Sequence, residues 1–211
     1  LILGKFLTDF TAEELADFAS KAYADEKFGG ADTAPVVKLG EGKNLLELWH
    51  GPTCAFKDMA LQMLPHLLTA SLRKTGETRT ACILVATSGD TGKAALDGFH
   101  DVPGTKIMVY YPVDGVSPMQ KLQMVTQEGR NVEVVAIRGN FDDAQSAVKR
   151  IFTDENTRAA LNKDGMMLSS ANSINWGRLA PQIAYYVSAY CDMVAAGTIA
   201  QGDKINVCVP T

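Results

Sequence analysis

The residues with the clearest capacity for chemistry lie in His50-Gly51-Pro52-Thr53-Cys54-Ala55-Phe56-Lys57-Asp58. The stretch stands between an apolar run, Leu45-Leu46-Glu47-Leu48-Trp49, and a helical pattern, Met59-Ala60-Leu61-Gln62-Met63-Leu64. That order predicts a short buried strand, a Gly-Pro turn and a helix whose first turn carries Lys57. The positive end of a helix dipole disfavours an ammonium and so favours the neutral amine that attacks a carbonyl. Lys57 is therefore placed to form a Schiff base. By position alone it equally suits a surface lysine at a loosely capped helix start.

A second capable set is Thr87-Ser88-Gly89-Asp90-Thr91-Gly92, between the unbroken apolar run Ala81-Cys82-Ile83-Leu84-Val85-Ala86 and a helical pattern from Gly92 to Gly98. Glycines admit close backbone approach, and free N–H groups and hydroxyls at a helix N-terminus bind anions. A capped helix start, with Ser88 or Asp90 as the cap, satisfies the same pattern. A Walker-type loop is excluded, because the upstream glycine is missing and Lys93 is followed by alanine. Leu168-Ser169-Ser170-Ala171-Asn172-Ser173-Ile174-Asn175-Trp176 is polar just ahead of a long apolar helical pattern. Its amides, Asn172 and Asn175 among them, can serve a ligand or an Asx turn and helix cap. Gly139-Asn140-Phe141-Asp142-Asp143 has a single glycine and acidic residues where an anion would sit, and reads as a capped helix start. Asp114 to Gln120 reads as a turn opening a helix, with no function legible in it.

The elements that must position these residues follow from periodicity. Phe6 to Lys27 predicts a helix, with capping-box spacing from Thr11 to Glu14 and an apolar stripe of Leu15, Phe18, Ala19 and Ala22. Pro35 to Leu39 predicts a strand. The helix after Lys57 continues through Leu72, kinked or divided by Pro65. Lys74-Thr75-Gly76-Glu77 marks a crossing between domains. Beyond it, strands at Ala81 to Ala86, Lys106 to Tyr111 and Val132 to Ile137 alternate with helices at Gly92 to Gly98, Met119 to Gln127 and Asp142 to Phe152. Such alternation with short loops implies βαβ units and a parallel sheet, the first strand buried on both faces. A helix from Asn175 to about Met193 and a strand from Ile205 to Val209 complete the reading.

A chain of 211 residues with 46% hydrophobic content can bury a core and make one or two domains. A net charge of −4 argues against nucleic acid or an anionic membrane as the main partner. No apolar run approaches the roughly 20 residues that span a bilayer, and no signal peptide opens the chain. Cys54, Cys82, Cys191 and Cys208 are scattered, three of them in apolar contexts, and read as small core residues in a reduced cytoplasm. Neither they nor His50, His66 and His100 have metal-ligand spacing. Leu1 is no initiator methionine and the chain ends as a strand finishes, which implies a piece of a longer protein.

His50-Gly51-Pro52-Thr53 followed by Phe56-Lys57-Asp58 resembles the pyridoxal-phosphate lysine motif of threonine synthases of the yeast and enterobacterial type. The segments at Thr87 to Gly92, Gly139 to Asp143 and Leu168 to Trp176 resemble the same group in the same order, so the likeness covers most of the chain. It implies an incomplete α/β fold-type II enzyme, similar to tryptophan synthase β, with two parallel-sheet domains. Residues 1–34 would form an N-terminal helical segment, 35–77 part of the large domain with the cofactor lysine, 78–165 the small domain, and 166–211 the return to the large domain. The implied cofactor is pyridoxal 5′-phosphate on Lys57, and the implied reaction converts O-phospho-L-homoserine and water to L-threonine and phosphate. Ser88, Gly89 and Thr91 would hold the substrate carboxylate, with Thr87 and Asp90 in the same loop and Asn172 and Asn175 close by. Many superfamily members have asparagine where this chain has Asp90; an anionic Asp90 would repel the cofactor's phenolate, so it either meets the ring or turns away. The cofactor's phosphate loop would follow Thr211. A serine/threonine dehydratase and a cofactor-binding module without chemistry are the alternatives, and the oligomeric state stays open.

Overall fold

The computed structural model describes residues 1–30 and 32–209. Helix α1 (Ala12–Ala22) opens with the expected capping box, Thr11 Oγ1 accepting from Glu14 N–H and Glu14 accepting from Thr11 N–H. It buries Leu15, Phe18 and Ala22. The single helix expected from Phe6 to Lys27 is divided. Residues before Thr11 make only a 3₁₀ turn at Leu3–Lys5, and after Tyr23 the chain restarts as α2 (Asp25–Phe28). Tertiary anchoring explains the break, because the Tyr23 hydroxyl donates to the Met59 carbonyl at 2.7 Å and pulls that residue inward. Gly29, at φ +75°, ends α2 in the left-handed region.

Strands β1 (Val36–Gly40) and β2 (Lys43–Leu46) form an antiparallel hairpin, Val36 opposite Leu46. The buried strand expected at Leu45 to Trp49 is therefore earlier and half-exposed, since the hairpin is a two-stranded sheet. Helix α3 (Asp58–Leu61) is one turn long, and α4 (Leu64–Lys74) begins with Pro65 in its first turn, the division that Pro65 predicts. Met63, Leu67 and Ala70 pack against α1.

Strand β3 (Thr80–Ala86), helix α5 (Asp90–Phe99), β4 (Thr105–Pro112), α6 (Pro118–Val125), β5 (Val132–Ile137) and α7 (Phe141–Thr153) alternate as expected. They are followed by α8 (Glu155–Lys163) and β6 (Met166–Ser170). The sheet is parallel throughout, in the order β5-β4-β3-β6. Ile83, Val85, Ile107 and Val109 pack on one face with Leu61, Leu96, Phe99 and Met124. Leu84 and Ala86 pack on the other with Ala144 and Val148 of α7. Helices on both faces account for the absence of hydrophobic alternation in β3.

Sequence periodicity misses α8 and β6. Helix α8 buries no residue and so lacks an apolar stripe, and β6 ends in two serines. Because β6 pairs with β3, the sheet runs past residue 165, where the small-domain boundary was expected. The expected long helix from Asn175 is three pieces: α9 (Trp176–Leu179), a 3₁₀ turn at Ala180–Gln182, and α10 (Ile183–Ala195), divided at Pro181. Ile205 to Val209 form no strand, because no described strand lies beside them to pair with. The second parallel sheet of the expected fold likewise has no strands among the described residues. The cysteines also depart from expectation: Cys54, Cys191 and Cys208 are exposed and Cys82 is half-buried. Among the described residues, no helix is long and apolar enough to cross a membrane.

Candidate active site

The turn before Lys57 is folded back onto the helix that follows it. Asp58 is fully buried, and its Oδ2 accepts from Thr53 N–H at 2.9 Å while Oδ1 accepts from Thr53 Oγ1 at 2.6 Å. Burial pushes the Asp58 carboxyl up, and the two Thr53 hydrogen bonds pull it down. Gly51 lies so close that a Cβ there would stand 2.6 Å from the Asp58 carboxylate. Cys54 holds φ at +56°, a left-handed bend that directs the chain into α3.

Lys57 stands one residue ahead of the first helical residue rather than inside the first turn. Its carbonyl accepts from Ala60 and Leu61 N–H at 3.1 and 2.9 Å, which starts the helix. Its Nζ lies 4.2 Å from the Phe56 ring centroid and donates to Asp90 Oδ2 at 2.5 Å. The lysine side chain is only 13% exposed. Asp90 thus turns toward Lys57 and neutralises it.

The loop from Thr87 to Gly92 resolves the choice between cap and anion site by how its donors are used. Gly89 is the N-cap residue of α5 and has no side chain with which to cap it. Thr87 is buried, and its Oγ1 accepts from Gly89 N–H at 3.0 Å and Gly92 N–H at 2.9 Å. It shapes the loop from inside. Thr91 N–H is taken by Asp90 Oδ1 at 2.8 Å. Among the described residues, the N–H groups of Ser88 and Asp90 and the hydroxyls of Ser88 and Thr91 carry no hydrogen bond. These four donors lie beside the Lys57 ion pair.

Asn172 and Asn175, expected beside the ligand, make hydrogen bonds within the chain. The Asn172 amide brackets the end of β3, Oδ1 accepting from Ala86 N–H at 3.2 Å and Nδ2 donating to Ala86 O at 3.0 Å. Asn175 donates to Ser170 O at 2.7 Å and caps α9 by accepting from Gly177 N–H at 2.9 Å. The residue that the sequence reading passes over is Arg178. It is buried at 6% exposure, Nη1 donates to Ala171 O at 2.9 Å, and Nε has no partner. Burial lowers its pKa while the nearby Asp90 carboxylate raises it, so this guanidinium lies within the field of the Lys57–Asp90 pair. The signal was available: Arg178 is the one charged residue between Trp176 and Tyr190.

No family model matches the chain. Over 209 residues it is 42% identical to threonine synthase-like 1 of Homo sapiens, covering 96% of this chain and 28% of that protein. It is 38% identical over 210 residues to the threonine synthase of Schizosaccharomyces pombe, covering 97% of this chain and 39% of that protein. The solved structure of a PLP-bound threonine synthase from Brucella melitensis superposes with a TM-score of 0.77 at 39% identity, over 88% of this chain and 38% of that one. Over most of its length the chain is thus similar to one stretch of threonine synthases. It spans 27% to 41% of the length of the curated relatives it matches. The parallel sheet presents the C-terminal end of β3 to the candidate site, where the Thr87 loop leads into α5. The site gathers two cations, Lys57 and Arg178, one carboxylate, Asp90, and a set of free donors. That balance suits an anionic ligand.

Proposed function

We propose that the protein containing this stretch is a threonine synthase, converting O-phospho-L-homoserine and water to L-threonine and phosphate with pyridoxal 5′-phosphate. The observation that carries the reading is Lys57, an amine at a helix start, 2.5 Å from a loop whose Ser88, Asp90 and Thr91 donors are unspent. The residues present fit the cofactor: Lys57 supplies the amine for its aldehyde, and Arg178 supplies a buried cation with a free Nε. When bound, pyridoxal phosphate supplies the carbonyl for condensation with amines and a conjugated ring that delocalises negative charge from the substrate carbon.

The chain's own residues then have separate tasks. Lys57 would hold the cofactor's aldehyde and, with its amine free, would hold and move protons at the substrate's α and β carbons. Asp90 balances the lysine's charge whenever the amine is free. Ser88 N–H, Ser88 Oγ, Asp90 N–H and Thr91 Oγ1 orient the substrate carboxylate as charge-assisted donors. Thr87, Asn172 and Asn175 fix the loop and the strand end that carry those donors. A small amino-acid phosphate ester is the substrate class that this division of labour serves.

Borohydride reduction of the full-length holoprotein, followed by peptide mass mapping, tests the reading. We expect the reduced cofactor on Lys57, and phosphate release from O-phospho-L-homoserine that disappears in Lys57→Ala. A label on another lysine, or turnover retained in Lys57→Ala, overturns it. Ser88→Ala and Thr91→Val should each weaken substrate binding by roughly 1.5–3 kcal/mol, the worth of a hydrogen bond to a charged group. Cofactor affinity should change less.

A further inference from the structure

Gln120, which neither the sequence motifs nor the reaction assigns, sits on the outer side of the loop that carries the free donors. It is the third residue of α6 and completes a capping box: its N–H donates to Ser117 Oγ at 3.2 Å, and its Oε1 accepts from Ser117 Oγ at 3.1 Å and Ser117 N–H at 3.4 Å. The same side chain covers Gly89. A Cβ built on Gly89 would overlap Cδ, Oε1 and Nε2 of Gln120 alike, so the carboxamide lies flat on the glycine α-carbon. Gly89 holds φ 152° and ψ −103°, a conformation that side chains rarely adopt. Its two flanking peptides carry Ser88 and Asp90, whose N–H groups are free. Among the described residues, Gln120 Nε2 has no hydrogen-bond partner.

We propose that Gln120 is a positioning and specificity residue for the substrate carboxylate: its neutral carboxamide holds Gly89 so that the flanking donors face one anion, and it keeps that place free of negative charge. The inference rests on reading the Ser88 loop as the carboxylate holder. A merely structural Gln120 would be satisfied by glutamate, since glutamate fills the same position of a capping box and favours the positive end of a helix. A positioning Gln120 would not, because glutamate lays a like charge against the Gly89 backbone.

The test uses full-length holoprotein and follows the cofactor's absorbance as L-threonine or L-threoninamide is titrated in. The two ligands share the amine and side chain, and only threonine carries the carboxylate. Gln120→Glu should keep the thermal midpoint of wild type and weaken L-threonine by roughly tenfold or more, with L-threoninamide little changed. Gln120→Ala should lose the same preference for threonine over threoninamide to a smaller degree, and decides the matter if the glutamate variant fails to fold. Ser88→Ala serves as the control on the loop. If Ser88→Ala discriminates between the ligands and both Gln120 variants bind them as wild type does, the role of Gln120 is overturned and the loop reading stands. If Ser88→Ala and the Gln120 variants all leave the preference intact, the loop reading is what fails.

Discussion

Asp58 does more for Lys57 than its neighbour in sequence suggests. Its carboxylate is buried and spends both oxygens on Thr53, so the turn from His50 to Phe56 closes onto the base of α3. Thr53→Val removes one donor and leaves a buried carboxylate oxygen short of a partner. Such a loss costs about 1–3 kcal/mol. Urea denaturation should show that decrease, and reductive trapping at Lys57 should slow, because the lysine backbone is no longer held at the helix start. Unchanged stability would mean that the two Thr53 contacts contribute nothing net. Of these residues, Lys57 was legible in sequence because a Gly-Pro turn ahead of a helical pattern is a local signal. Thr53 and Asp58 were not read as a pair, since only the turn's path shows that they meet. Thr87, Asn172 and Asn175 have the side chains of ligand residues, and their internal use depends on backbone partners that sequence spacing does not reveal.

The elements that carry Lys57 and Asp90 are locked together at their far ends. A Cβ on Gly98 of α5 would run into the Leu61 carbonyl of α3, and beside it Gln62 Nε2 donates to Asp97 Oδ2 at 2.8 Å. Gly98→Ala should therefore push α3 off α5 and cost about 1–3 kcal/mol, typical of overpacking a tight contact. The same variant should bind pyridoxal phosphate more weakly, measured by equilibrium dialysis, because the lysine moves with its helix. A second lock joins the start of β3 to α8. Glu77 accepts from Arg79 N–H at 3.0 Å and from its guanidinium at 2.9 and 2.5 Å, while Arg79 Nη1 donates to Asn162 at 2.6 Å. Arg79 pulls the Glu77 carboxyl down to about 2, from 4.5. A depressed folded value means that the unfolded chain takes up the proton first. The stabilisation is thus full above pH 4.5 and fades as pH falls toward 2. Glu77→Gln should flatten that part of the stability-versus-pH curve, and a curve of unchanged slope would show that the pair contributes nothing. The alternating elements of the sheet were legible because each has its own period and turn chemistry. Helix α8 and β6 were not: the first is stabilised without a buried stripe and the second by its neighbour β3.

Across the whole molecule, polar chemistry and apolar surface are unevenly shared. A groove of about 1340 Å³ runs between the β1–β2 hairpin, α10 and residues 204–209. Trp49, Phe56, Tyr186, Ile205 and Val207 line it and are exposed. Apolar area of that extent on a folded surface binds amphiphilic dyes. The 211-residue chain should enhance anilinonaphthalene sulfonate fluorescence while folded, and Tyr186→Glu with Val207→Glu should reduce it without lowering the thermal midpoint. The fold class was readable at this scale because βαβ alternation leaves few topologies, whereas Ile205 to Val209 read as a strand on composition alone and lack a neighbour to make them one. The bracket that Asn172 places on Ala86 also sets an order of events. Pairing of β3 with β4 needs only nearby residues and can precede everything else, but the root of the Ser88 loop is clamped by a side chain 86 positions later. On the ribosome, the loop therefore waits for most of this stretch to be synthesised before it takes its final shape. Pulse-labelled hydrogen exchange during refolding should find the Val85 amide protected before that of Ala86.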